Sequence, residues 1–141
     1  MRPDELMVGD IVRLRISHNA VRIESIFTSK HAEGYLCHHT FLHNGEKRYN
    51  YSLSTLEPVP LTKDALVKSG FFIQDQGGNK ADVWCGFGED CQYDIEVEFD
   101  GETPVHVKID GPMYITTREI EYIHQFQHAL RLAGVNKEIT I

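Results

Sequence analysis

The stretch TTREIEYIHQFQHALRLAGVNKEITI, Thr116 to Ile141, decides how the chain is read. Thr116 and Glu119 stand at capping-box spacing, where a hydroxyl and a carboxylate satisfy free amides of a first helical turn. At 100° per residue, Ile120, Tyr122, Ile123, Phe126, Ala129, Leu130 and Ala133 gather on one half of a cylinder. Glu121, His124, Gln125, His128 and Arg131 fall on the other, with Leu132 the one large apolar residue among them. Gly134 reads as a left-handed stop and Val135 as the residue folding back on the last turn. The pattern predicts a helix of about 17 residues, marginal alone in water, so its apolar half must lie on something. Lys137 to Ile141 then alternates like a short edge strand.

What it lies on is read from the preceding segments. Phe71 to Gln76, Asp82 to Phe87, Gln92 to Phe99 and Pro104 to Asp110 carry strand signals, and Gly77-Gly78-Asn79 links the first two. Ile95, Val97 and Phe99 match Val105, Val107 and Ile109. For both sets to share a face, opposed residue numbers must sum to an even value, so the Asp100-Gly101 loop is expected to hold three or five residues. The other face carries Glu96, Glu98, His106 and Lys108. One wet face and one apolar face predict an antiparallel sheet covered by the C-terminal helix.

Upstream, Thr62 reads as an N-cap, Lys63 to Ser69 as a two-turn helix with Ala65, Leu66 and Val67 inward, and Gly70 as its stop. Before it, Glu57-Pro58-Val59-Pro60 interrupts any ladder, because proline donates no backbone hydrogen bond. The first sixty residues alternate in short runs. Val12, Leu14 and Ile16 point one way and Arg13 and Arg15 the other; Val21-Arg22-Ile23-Glu24 repeats the alternation, and Ser25-Ile26-Phe27 breaks phase as a bulge would. Tyr35 to His43 and Glu46 to Leu53 read as a hairpin around a two-residue Asn44-Gly45 turn. Such strands close on themselves to protect one apolar face, which predicts a small SH3-like β-barrel half. The expected class is therefore α+β: a barrel-like half at 1–60, then a sheet with a long helix at 61–141, as two units or one compact domain.

Charge is uneven along the chain. Of the net −7, residues 1–60 contribute nothing, with seven Lys/Arg against seven Asp/Glu, while residues 61–141 hold seven basic and fourteen acidic residues. Glu89, Asp90, Asp94, Glu96, Glu98, Asp100 and Glu102 come with no Lys or Arg between Ala81 and Thr103. A field of that sign repels a phosphate backbone and suits a solvated face, a basic partner or a divalent cation. Cys37, Cys85 and Cys91 are an odd count without framework spacing, which favours a reducing compartment. The start, Met1-Arg-Pro-Asp-Glu5, has no apolar h-region, and no apolar run approaches the roughly 18 residues of a span. A cytoplasmic chain with no membrane segment is expected.

Leu6-Met7-Val8-Gly9-Asp10 with the Val21-Arg22-Ile23 strand, the junction Glu57-Pro58-Val59-Pro60-Leu61-Thr62 with Leu66 and Ser69-Gly70-Phe71, and the closing Glu121-Tyr-Ile-His-Gln-Phe-Gln127 with Leu130 and Gly134 carry a resemblance. Together they resemble a family of small uncharacterised proteins of gut bacteria, often encoded near prophage or other mobile elements. Phe126 stands where that family's pattern has leucine. The resemblance implies a shared fold and a mobile-element context, and it brings no activity, ligand or site.

Candidate chemistry is sparse. His124 and His128, four apart on a helix, with Glu121 on the same strip, are the metal-ligand candidates, but the helix lacks the glutamate base of a metalloprotease motif. Cys37, His39 and His43 would share a strand face with Phe41 between them and His38 opposite; no Cys-x-x-Cys pair supports a zinc ribbon. Cys85 and Cys91 read as free thiols beside a Gly86-Phe87-Gly88 turn, Cys85 partly buried. No nucleophile elbow and no phosphate loop is present. Neither a catalytic residue nor a cofactor is assigned. Glu96 and Glu98, with Arg13 and Arg15, are the candidate partner-binding residues. The leading reading is a non-catalytic binding or adaptor protein acting through protein contacts. One alternative is single-stranded nucleic-acid binding by the N-terminal half through Arg13, Arg15, Arg22, Lys47, Arg48, Tyr49 and Tyr51. Another is a metal-dependent enzyme built on the histidine-rich segments.

Overall fold

The computed structural model describes residues 1–75, 80–84 and 93–141, with side chains described for 1–71 and 93–141. Cys85, Cys91, the Gly77-Gly78-Asn79 link and the Gly86-Phe87-Gly88 turn lie outside the described residues. The class is α+β, mostly strands, in two compact units, Met1–Val59 and Pro60–Ile141.

The first unit is one antiparallel sheet of β1 (Ile11–Leu14), β2 (Ala20–Ser29), β3 (Ala32–Phe41), β4 (Lys47–Ser52) and β5 (Leu56–Glu57). Its order is β4-β3-β2-β1-β5. The outer strands β4 and β5 do not pair, so the expected SH3-like barrel is not closed and the half is an open sheet. Leu6, Val12, Val21, Ile23, Cys37, Phe41, Leu53 and Leu56 form its core. Two local readings are corrected. β1 ends at Leu14, and Ile16 sits 93% exposed in the turn rather than inward. Asn44-Gly45 does not make a two-residue hairpin: Gly45 N donates to Phe41 O at 2.8 Å and Phe41 N to Glu46 O at 2.9 Å, so residues 42–45 form the loop. Gly45 has φ 71° and Asn44 does not share the positive φ that a type I′ turn needs at both positions. Beyond the loop, the register shifts so that Tyr49 and Asn50 oppose His38, and Asn50 takes φ 59° to absorb the extra residue.

In the second unit, α1 (Lys63–Lys68) starts where Thr62 Oγ1 accepts from Ala65 N at 3.2 Å and stops at Gly70, φ 80°. The sheet has five strands, β6 (Phe72–Asp75), β7 (Lys80–Trp84), β8 (Asp94–Asp100), β9 (Thr103–Asp110) and β10 (Tyr114–Thr117), in the order β10-β9-β8-β7-β6. Ile95 faces Ile109 and Val97 faces Val107, register sums that are even. Evenness is reached by another route than a long loop. The β8–β9 turn is only Gly101 and Glu102, and a bulge between the Glu98–His106 and Phe99–Pro104 pairs restores the face. Pro104 thus takes the buried slot opposite Phe99, and Val105 is left exposed.

The terminal helix is the largest correction. Residues 114–117 are β10, paired to β9 with Thr116 opposite Lys108 and Thr117 opposite Val107. α2 is only Ile123–Leu132, ten residues, not a long helix from Thr116. Its first turn is closed by Gln125, whose Oε1 accepts from Glu121 N at 2.8 Å and Tyr122 N at 3.1 Å. The stop is as read: Gly134 has φ 75°, and Val135 N reaches back to Leu130 O at 2.8 Å. Phe126 meets Phe71 at 5.9 Å, Met113 N donates to Ala133 O, and Gly111 lies against Ala133 and Val135 so closely that a Cβ there would be 2.9 Å from Val135. These contacts tie α2 to both ends of the sheet. Lys137 to Ile141 is not a strand; Ile139 is buried, and Thr140 is held by Ser69, whose Oγ accepts from Thr140 N at 2.9 Å.

Candidate functional site: the acidic sheet face

Alternation along β8 and β9 sends Ile95, Val97, Phe99, Val107 and Ile109 inward and leaves Asp94, Glu96, Glu98, His106, Lys108 and Asp110 outward. The ladder arranges these in rungs. Glu96 opposes Lys108, with carboxylate and ammonium 3.4 Å apart, and the carboxylate raises the pKa of Lys108. Glu98 opposes His106, Oε2 to Nδ1 at 4.0 Å. The other ring nitrogen of His106 is 2.8 Å from Thr116 Oγ1 on β10. The next rung is different in kind: Asp94 opposes Asp110, and neither makes an ion pair with a described residue. Like charges directly opposite repel, while the Asp110 carboxylate also helps raise the pKa of Lys108. Tyr114 is the β10 partner of Asp110, 57% exposed, beside Met113 at 61%.

Glu96 and Glu98 therefore stand together, whereas Arg13 and Arg15 belong to the first unit. Arg13 Nε is 2.7 Å from Glu57 Oε1, and His18 Nδ1 meets the same oxygen at 3.0 Å. Burial pushes the Glu57 carboxyl up, but the hydrogen bonds and charges of His18 and Arg13 outweigh it and hold the pKa below its ordinary value. Arg15 lines an open groove of about 640 Å³ with Arg2, Glu5, Glu33, Tyr35 and Ser54, a lining that mixes both signs. Arg48 pairs with Glu46 at 2.7 Å, and the Tyr51 ring turns to His39, 4.7 Å away. Tyr49 stays exposed but packs edge-on to His38, which also meets Phe27. Of the residues expected to track a nucleic-acid strand, Arg13 and Arg48 are thus held in ion pairs and Tyr51 packs on His39, while Arg15 and Tyr49 stay at the surface.

The metal candidates are also separated. His124 is 3% exposed, on the buried side of α2 and not the polar one, because the shorter helix is enclosed over most of its circumference; Gln127 is buried with it. Its ring stacks on Tyr122 and lies 5.9 Å from that of His128, while Glu121 remains exposed. Cys37 and His39 share the buried face of β3, but His43 sits exposed in the following turn. Among the described residues no three of His, Cys, Asp and Glu gather as a metal site.

Asp110 and Tyr114 were not singled out by the sequence reading, and Thr116 was read only as a helix cap. Their signal was the β-branched, aromatic run Tyr-Ile-Thr-Thr after Gly-Pro, overlaid by a capping-box match at Thr116. Among the described residues no helix is long and apolar enough to cross a membrane. Comparison with protein-family models, curated proteins and solved structures finds no match.

Proposed function

We propose that this chain is a non-catalytic, cytoplasmic binding protein whose acidic β8–β9 face receives a basic stretch of a partner protein, in the prophage or mobile-element setting of the family it resembles. The Asp94–Asp110 rung carries this reading. Two opposed carboxylates repel, and an incoming lysine or arginine that settles between them converts that repulsion into two attractions. Glu96, paired with Lys108, and Glu98, which faces His106, widen the negative field that steers such a partner in. The nucleic-acid reading draws less support, because Arg13 and Arg48 are already paired and the second unit is acidic.

The test is a fluorescence-anisotropy titration of labelled octalysine against the wild-type chain and an Asp94→Asn/Asp110→Asn variant, at low and high salt. Salt-sensitive binding that the double variant loses supports the proposal. Binding of equal strength in both proteins, or none in either, removes it.

A further inference from the structure

β10 is the outermost strand of its sheet, and among the described residues no other strand flanks it. An outermost strand presents unpaired N–H and C=O groups along one side, which natural sheets protect with charge, proline, bulges or shortness. The edges of the first sheet are protected in these ways. β5 is two residues long, and β4 carries Lys47, Arg48 and the Asn50 bulge. β10, four residues long, carries neither charge, proline nor bulge: Tyr114-Ile115-Thr116-Thr117 is unbroken in register and made wholly of residues that favour strands. Tyr114 and Thr116 are exposed.

We propose that β10 is a docking edge for an extended segment of the partner protein with lysine or arginine at alternate positions, which adds one antiparallel or parallel strand to the sheet. The inference rests on the acidic-face reading above and names the form the partner takes. Charge selects the occupant. A strand laid on β10 stands about 5 Å from it and about 10 Å from β9, and every second side chain projects over the acidic face. A basic side chain there lies across the exposed ring of Tyr114, with the Asp110 carboxylate behind it. Main-chain hydrogen bonds supply affinity and the alternate cations supply selection. A second copy of this chain is the wrong occupant: edge-to-edge pairing would join two acidic faces of chains that each carry −7.

The experiment compares two octapeptides of alternating lysine and threonine, one unmodified and one N-methylated throughout, which have equal charge but differ in backbone donors. Each is titrated into the full chain and into Asp94→Asn/Asp110→Asn, with amide exchange read at residues 114–117. Binding of the unmodified peptide that is tighter by about tenfold or more, with new protection at 114–117, is the expected result. Equal binding of both peptides, lost in the double variant, overturns the docking edge and leaves the acidic-face reading standing. No binding by either overturns both. Protection at 114–117 that depends on protein concentration without peptide means that the edge pairs with itself, and overturns the inference.

Discussion

Asp94 and Asp110 are direct partners across the β8–β9 ladder, two carboxylates on a sheet whose adjoining rung sets Glu96 against Lys108. Asp110→Asn removes the repulsion and keeps the size of the side chain. It should raise stability by roughly 0.2–1 kcal/mol in urea denaturation while weakening octalysine binding. A variant less stable than wild type would show that the rung is stabilising and needs another account.

His39 has no exposure, and neither ring nitrogen has a hydrogen-bond partner; its ring is packed against Phe41 and Tyr51. Burial, then the nearby Arg48 charge, lowers its pKa from the ordinary value of 6.5. The folded state therefore holds the neutral ring while the unfolded chain takes a proton below about pH 6.5, so this residue's effect is a loss of stability as pH falls through that value. The slope is at most about 1.4 kcal/mol per pH unit. Urea denaturation at pH 7.5 and about pH 5.5 should show a smaller loss for His39→Leu than for wild type. Identical losses would mean that the ring protonates without hindrance in the folded protein.

Cys37 is fully enclosed, and burial pushes its thiol up to about 11. The thiolate is the reactive species, so native Cys37 should resist iodoacetamide near neutral pH and react once the chain is unfolded. Mass spectrometry resolved to the Cys37 peptide reads this directly. Rapid native alkylation at that peptide would place the thiol at the surface.

Ser69 joins the end of α1 to the C-terminal segment. Its Oγ lies 2.6 Å from Ala65 O and 3.0 Å from Thr140 O, and accepts from Thr140 N at 2.9 Å. One hydroxyl proton serves one of those carbonyls at a time, so the Thr140 amide is the bond that only this side chain supplies. Ser69→Ala should cost about 1–3 kcal/mol and speed amide exchange at Thr140. Exchange unchanged at Thr140 would show that Ile139 packing alone holds the segment.

Where local chemistry decides, the sequence was legible. Thr62 and Gly70 bound α1, and Gly134 with Val135 ends α2, because each cap is settled within a few residues. The pairing of Ile95 and Val97 with Ile109 and Val107 followed from alternation. What failed depended on competition between distant segments. Thr116 and Glu119 have capping-box spacing, yet a ladder with Lys108 and Val107 and the His106 contact holds Thr116 in a strand. His124 keeps the place on the wheel that put it on the polar half, yet it is buried. α2 is covered on that side as well, which depends on the rest of the chain and not on the helix's own periodicity. The β8–β9 loop length was misjudged because a bulge can correct parity as well as an extra loop residue can. Of the candidate site, the acidic face was legible from composition. The opposition of Asp94 and Asp110 was not, since only the register sets one against the other.

The direct measurement is a chemical-shift map of the isotope-labelled chain as octalysine is added at low salt. The account expects shifts that saturate along 94–98, 106–110 and 114–117, with residues 1–59 unmoved. Shifts confined to residues 1–59, or none with the second unit fully folded, would contradict it.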